Sequence, residues 1–428
     1  MAEQDKERGV RVDIKESAAA AKRASRHLVT LSSAQKNRAI LEMAEALERR
    51  AGEILQENAE DFAAGRKKGL SSALLDRLLL DEERVRAMAQ DLRRVAALPD
   101  PVCEIVEGWR TAEGLEIRKV RVPFGVVAVI YEARPNVTVD AAALCLKTGN
   151  AVMLRGGGDA YHSNRILAEV ITGAVLEAGL PGDAIQFVTT RDREVLIELL
   201  QLTELVDLVI PRGGEQLKQF LVEHSRVPVI YAAGGNCHVY VDRTADLNQA
   251  VDIVVNAKVQ RPGVCNAAET LLVHEAVAKQ FLPRVVKELT ERQVKLYVDK
   301  KSKEILGERG AALAPATEKH YATEFLALEM AVKVVTSLDE AIAHVNEYGT
   351  GHSEAIVTQD LEAGRRFSDE VDAAAVYVNA STRFTDGAVF GLGAEIGIST
   401  QKLHARGPLA LKELTSTKYI VTGRGHIR

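Results

Sequence analysis

Absences frame this sequence before any motif does. No stretch approaches the ~18 consecutive apolar residues that a membrane-spanning helix needs, so no span is expected. The opening run, Met1-Ala2-Glu3-Gln4-Asp5-Lys6-Glu7-Arg8, is charged and has no apolar core, which predicts no signal peptide and a cytoplasmic protein. Positive charge is not in surplus: 55 Lys and Arg stand against 60 Asp and Glu, a formal net of −5. That balance gives no reason to expect nucleic acid or an anionic membrane as partner, so any anion site must be built locally. The four cysteines follow no regular spacing, which excludes a disulfide scaffold, and no metal-ligand pattern is present. Long-period repeats and low-complexity segments are also missing, although the chain is rich in alanine.

What remains is an ordinary globular composition, 46% hydrophobic and 27% charged, over 428 residues, enough for two or three domains. Residues 11–97 are helical in character. Segments 36–50 and 81–97 carry apolar residues at helical spacing, and Gly65 and Gly69 are read as stops in a basic loop between them. Pro99 and Pro101 mark a boundary. Residues 109–122, with Glu113-Gly114 at the centre, predict a two-stranded hairpin whose charge calls for a partner strand elsewhere.

From Gly125 short, unbroken apolar runs alternate with helical stretches: 126–131, 151–154, 185–188 and 206–210. A second series follows at 238–241, 270–273, 332–335, 355–357 and 375–378. This alternation predicts α/β architecture with parallel sheets covered on both faces, in two domains with a cleft between them.

Cys265 lies in Gln260-Arg261-Pro262-Gly263-Val264-Cys265-Asn266-Ala267. Pro-Gly turns the backbone there, and the thiol emerges just before the β-prone Thr270-Leu271-Leu272-Val273. Such a site suits a rigid, accessible nucleophile, and a free structural thiol is the competing reading. Cys145 reads as a buried hydrophobe, Cys103 sits in a loop with no nearby base, and Cys237 adjoins His238 on an extended segment, where neighbours face opposite ways.

Two strand ends carry glycines and arginine: Arg155-Gly156-Gly157-Gly158, and Pro211-Arg212-Gly213-Gly214 before a helix near Glu215. Backbone amides, a helix N-terminus and a guanidinium fork suit a phosphate, though turns that simply need glycine look the same. Neither run matches G-x-G-x-x-G or a P-loop. A third cluster, Tyr131-Glu132-Ala133-Arg134-Pro135-Asn136, places Asn136 either as an N-cap or as a donor to a developing oxyanion.

Together with Asn256 to Thr270 and with Phe390-Gly391-Leu392-Gly393-Ala394-Glu395-Ile396-Gly397-Ile398-Ser399-Thr400, these runs resemble the aldehyde dehydrogenase superfamily. The likeness is greatest to its phosphorylating branch, which acts on glutamyl phosphate in proline biosynthesis, and covers residues 21–428. It implies an aldehyde-dehydrogenase-like fold: an NADPH-binding domain from 1–108 and 123–236, completed by part of 379–404; a catalytic domain from 237–378; and an oligomerisation element from 109–122 and 405–428. It further implies NADPH-dependent reduction of L-glutamyl 5-phosphate to L-glutamate 5-semialdehyde through a thioester on Cys265, with Asn136 and the Cys265 N–H as oxyanion donors. Arg155, Gly156, Gly213, Gly214 and Glu324 are implied for the cofactor, Arg155 favouring NADPH because an arginine fork suits a phosphate.

Arg134, Arg261, His404 and Arg406 are candidates for the substrate's amino and carboxylate groups, or else surface cations. Where hydrolytic relatives carry a water-activating glutamate before a Gly-Gly pair, this chain has Ala232-Ala233-Gly234-Gly235-Asn236, with no carboxylate. That fits a phosphorylating reductase and equally a CoA-acylating aldehyde dehydrogenase; a non-catalytic binding protein of the same fold is the other alternative. A homodimer or homotetramer, and handover from a glutamate 5-kinase, are the implied associations.

Overall fold

The computed structural model describes residues 13–231 and 234–428. Two compact units emerge: Met1–Ile230 with Gly393–Ile396 and Ala410–Arg428, and Tyr231–Leu392 with Gly397–Leu409.

The first unit opens with helices Ile14–Leu28, Ser33–Arg49, Ala51–Lys67, Ser72–Leu78 and Glu82–Ala97. Side-chain caps fix most of their starts: Asp13 and Asp81 accept first-turn amides, and Ser32 with Gln35 forms a capping box. Gly65 does not stop a helix. It lies inside Ala51–Lys67 under Leu70, Leu75 and Leu78, and only Gly69, at φ 75°, follows the helix end. Packing, which no local propensity reveals, decides that position.

Four parallel strands follow in the order Ile185–Phe187, Ala151–Gly156, Val126–Tyr131, Leu208–Arg212. All six residues of Val126–Tyr131 are buried, as an unbroken apolar run in a central parallel strand requires. The expected hairpin is present as antiparallel Ile105–Arg110 and Glu116–Pro123, turning at Gly114 with φ 93°. Its partner strand is Thr415–Thr422 of the same chain, paired antiparallel with Glu116–Pro123.

The second unit holds seven parallel strands, in the order Ala314–Pro315, Lys295–Val298, Glu329–Val335, Ala268–His274, Cys237–Val241, Ser353–Val357, Ala375–Val378. The first two were not legible in the sequence. Alternate residues of the central strands enter different cores: Val239, Val241, Leu271 and Val273 pack in one cluster, Tyr240, Leu272 and Ile356 in another. Period two thus buries both faces.

Candidate active site

In the first unit, polar residues gather at the carboxyl ends of the strands, where ligands bind in open α/β sheets. Tyr131 is in register with Gly156 on one side and Arg212 on the other, so three strand ends are level. A Cβ at Gly156 would overlap the Asn164 amide, and one at Gly213 would stand 2.6 Å from Glu132 Cδ. These glycines are demanded by close packing. Gly214 N–H, at the start of helix Glu215–His224, donates to Glu132 Oε2 at 3.0 Å, so an internal carboxylate meets that helix end.

Arg155 is half-buried. Its Nη2 donates to the Arg191 carbonyl at 3.2 Å, and its Nε is buried without an acceptor among the described residues. Burial and nearby Arg193 both lower its pKa, and the Arg191 guanidinium lies 4.5 Å from the centre of the Tyr161 ring. Cations with an orphaned N–H at a strand end fit an anionic dinucleotide phosphate. Arg191 and Arg193 carry no sequence signal, because isolated arginines in a loop look like solvated ones.

Asn136 is not an N-cap. It is the first residue of helix Asn136–Lys147 after Pro135, and its Nδ2 donates to Asp140 Oδ2 at 2.9 Å. Burial pushes the Asp140 carboxyl up to about 6, against the opposing pull of Asn136, Arg212 and Arg94. The Arg134 N–H donates to the Glu132 carbonyl at 2.6 Å.

In the second unit, the candidate residues lie at the amino ends of the strands. Cys265 occupies the loop between helix Leu247–Val259 and strand Ala268–His274, and is half-buried. Gly235 presses on it so closely that a Cβ there would overlap the Cys265 carbonyl. Gly235 N–H donates to Glu324 Oε1 at 2.6 Å, and a Cβ at Gly234 would meet Glu324 Oε2 at 2.5 Å. Ala232 and Ala233 of this run lie outside the described residues. Asn236 pins the loop by donating to the carbonyls of Tyr321, at 2.6 Å, and Tyr348, at 2.7 Å.

The Cys237 thiol donates to the Cys265 carbonyl at 3.2 Å, and burial drives its pKa well above the usual thiol range. It is a structural partner of the loop, as Cys145, fully buried, is of its helix. Beneath the loop, Lys258 and Glu269 form an ion pair with both side chains fully buried. Burial raises the Glu269 carboxyl and lowers the Lys258 ammonium, while their mutual attraction opposes both shifts. Glu269 Oε1 also accepts Leu326 N–H at 3.1 Å, tying the Glu324 segment to the Cys265 strand.

The structure therefore brings Glu324 and Cys265 together through Gly235. Of the other predicted residues in this unit, Arg261 is exposed, and His404 is exposed with φ 66°. Arg406 bonds Asp372, both carboxylate at 2.8 Å and carbonyl at 3.0 Å. Arg383, which sequence reading passed over, is half-buried beside the Cys265 loop: its Nε donates to Gln260 Oε1 at 3.0 Å and its Nη1 donates to Asn266 Oδ1. No group of three or more His, Cys, Asp or Glu able to hold a metal occurs among the described residues.

Comparison with known proteins places this geometry. The aldehyde dehydrogenase family matches over residues 5–304 and 317–420. A γ-glutamyl phosphate reductase from Moorella thermoacetica is 56% identical, with 95% of this chain and 97% of that protein aligned. One from Syntrophomonas wolfei is 54% identical, covering 95% and 96%. The crystal structure of γ-glutamyl phosphate reductase from Thermotoga maritima superposes with a TM-score of 0.94 at 46% identity, covering 97% of this chain and 99% of that one. Agreement in sequence and backbone over nearly the full length makes the chain a member of the aldehyde dehydrogenase family.

Proposed function

We propose that this chain reduces L-glutamyl 5-phosphate to L-glutamate 5-semialdehyde with release of phosphate, through a thioester on Cys265, as a step of proline biosynthesis. The observation that carries the reading is the Cys265 loop, set on a Pro-Gly turn and pinned by Gly235 and Glu324, in a chain 54% identical to a γ-glutamyl phosphate reductase. The Cys265 thiolate attacks the acyl-phosphate carbonyl; the carbon–oxygen bond to phosphate breaks and a thioester forms. The Asn136 amide and the Cys265 N–H are the donors proposed for the oxyanion. A nicotinamide dinucleotide, the cofactor of the family, supplies the hydride when bound.

NADPH is the form we infer. A half-buried Arg155 with an unpartnered Nε, beside Arg191 and Arg193, favours an extra phosphate on the adenosine ribose. Gly156, Gly213 and Gly214 allow backbone approach to the dinucleotide, and Glu324 takes the nicotinamide ribose. Arg134, Arg261, His404 and Arg406 are the proposed contacts to the amino-acid end of the substrate.

A homodimer, or a homotetramer built from dimers, would suit the edge strand Ile105–Arg110, exposed along its whole length. Substrate handover from a glutamate 5-kinase fits the lability of an acyl phosphate, and a cytoplasmic location fits water-soluble metabolites.

The test is oxidation of glutamate semialdehyde with NADP and either phosphate or CoA as acceptor. Phosphate-dependent reduction of NADP is expected, and preference for CoA would overturn the assignment. Cys265→Ser should abolish turnover with cofactor affinity nearly unchanged; substantial residual turnover would refute the nucleophile.

A further inference from the structure

Resting on that reading, we infer that Arg383 forms the subsite for the phosphate that leaves or attacks at Cys265. Arg383 bridges the two ends of the nucleophile loop, Gln260 on one side of Cys265 and Asn266 on the other. The bridge is rigid at its base. Asn266 Nδ2 donates back to the carbonyls of Arg383, at 3.3 Å, and Thr385, at 2.9 Å, and Thr382 Oγ1 donates to the Asn266 carbonyl at 2.7 Å.

The charge of this guanidinium is poorly balanced. Both of its side-chain acceptors, Gln260 and Asn266, are neutral amides. Burial and neighbouring Arg261 work against its charged form, while Cys265 and Asp386 favour it. An arginine of the same unit with no part in the site differs: Arg366 sits on the carboxylates of Asp339 and Glu370. A half-buried cation held open by neutral groups beside a nucleophile is suited to an anion that comes and goes, and its planar fork matches two oxygens of a phosphate.

In the direction of semialdehyde oxidation, a phosphate oxygen attacks the thioester carbon. The carbon–sulfur bond breaks and its electron pair returns to Cys265 as thiolate. Neither oxidation nor reduction occurs in that step, so Arg383 is required after hydride transfer and not before it.

This order makes the subsite separable from the nucleophile. The intact enzyme and Arg383→Gln are each mixed with glutamate semialdehyde and NADP, first without phosphate and then across a phosphate titration. Without phosphate, R383Q is expected to keep the burst of NADPH within about twofold and to show the acyl adduct on Cys265 by intact mass. With phosphate, its KM for phosphate is expected to rise roughly tenfold to a hundredfold, as loss of a charge-assisted hydrogen bond predicts. Arg383→Lys, which keeps the charge without the fork, should raise that KM less and still give the burst, and it carries the test if R383Q does not fold. An unchanged phosphate KM, or a burst lost in step with phosphorolysis, would overturn the subsite and leave Arg383 as a loop brace. Absence of any Cys265 adduct in the unaltered enzyme would instead remove the thioester reading, and the subsite with it.

Discussion

The space a Cβ would need at Gly235 is filled by the backbone of Cys265. The position of Cys265 is thus set by contact between two main chains, with Glu324 holding the far side of Gly235 through its N–H at 2.6 Å. The Cys265 backbone cannot yield without moving the thiol.

Gly235→Ala is therefore expected to lower kcat on the order of a hundredfold, since a displacement near 1 Å at a reacting group costs about that much. Because Gly235 N–H bonds Glu324, the cofactor's dissociation constant should rise as well. Steady-state kinetics with a cofactor titration checks this, and a parental kcat would show that the loop is not position-critical.

The Lys258–Glu269 pair supports the same loop from below, with both side chains fully buried. Lys258→Met leaves a carboxylate in an apolar setting and should destabilise the fold by about 3–5 kcal/mol. The double variant Lys258→Met/Glu269→Leu should recover more than half of that loss. Denaturant midpoints of the three proteins decide the matter; equal losses in single and double variants would refute it.

His344 gives a stability that depends on pH. It is buried among Tyr321, Tyr348 and His238, neither ring nitrogen has a hydrogen-bond partner among the described residues, and burial lowers its pKa from 6.5 to about 3. Above pH 6.5 the ring is neutral folded or unfolded and contributes no pH dependence. Below it only the unfolded chain takes up the proton, so stability falls by up to about 1.4 kcal/mol per unit and levels off near pH 3. Between pH 7.5 and 5 the loss from this residue is about 2 kcal/mol. His344→Phe should flatten that part of the profile, measured by denaturant unfolding at both pH values.

Arg155→Ser removes the fork proposed for the adenosine phosphate. The ratio of kcat/KM for NADPH over NADH should fall roughly tenfold to a hundredfold, mainly through a higher KM for NADPH. An unchanged ratio would move the selectivity elsewhere.

Local and periodic signals explain what could be read from the chain by itself. Unbroken apolar runs marked the parallel strands because burial on both faces removes the polar alternation, and Val126–Tyr131 is buried throughout. Pro262-Gly263 announced the turn that displays Cys265, and quoted motifs pointed to the family that matches most of the chain. Ala314–Pro315 escaped notice because a strand of two residues carries too little pattern. Asn136 became the first helical residue, bonded to Asp140, instead of a cap, because the helix starts one residue earlier.

The amino-acid order determined the strands, the turn and the identity of the thiol, since each depends on neighbours a few residues away. Folding alone decided which distant groups surround that thiol. Glu324 reaches Gly235 across 89 positions and Arg383 reaches Asn266 across 117, and no spacing along the chain encodes either meeting. Hydrogen bonds of this kind form only after burial has fixed both segments, so their chemistry belongs to the tertiary structure.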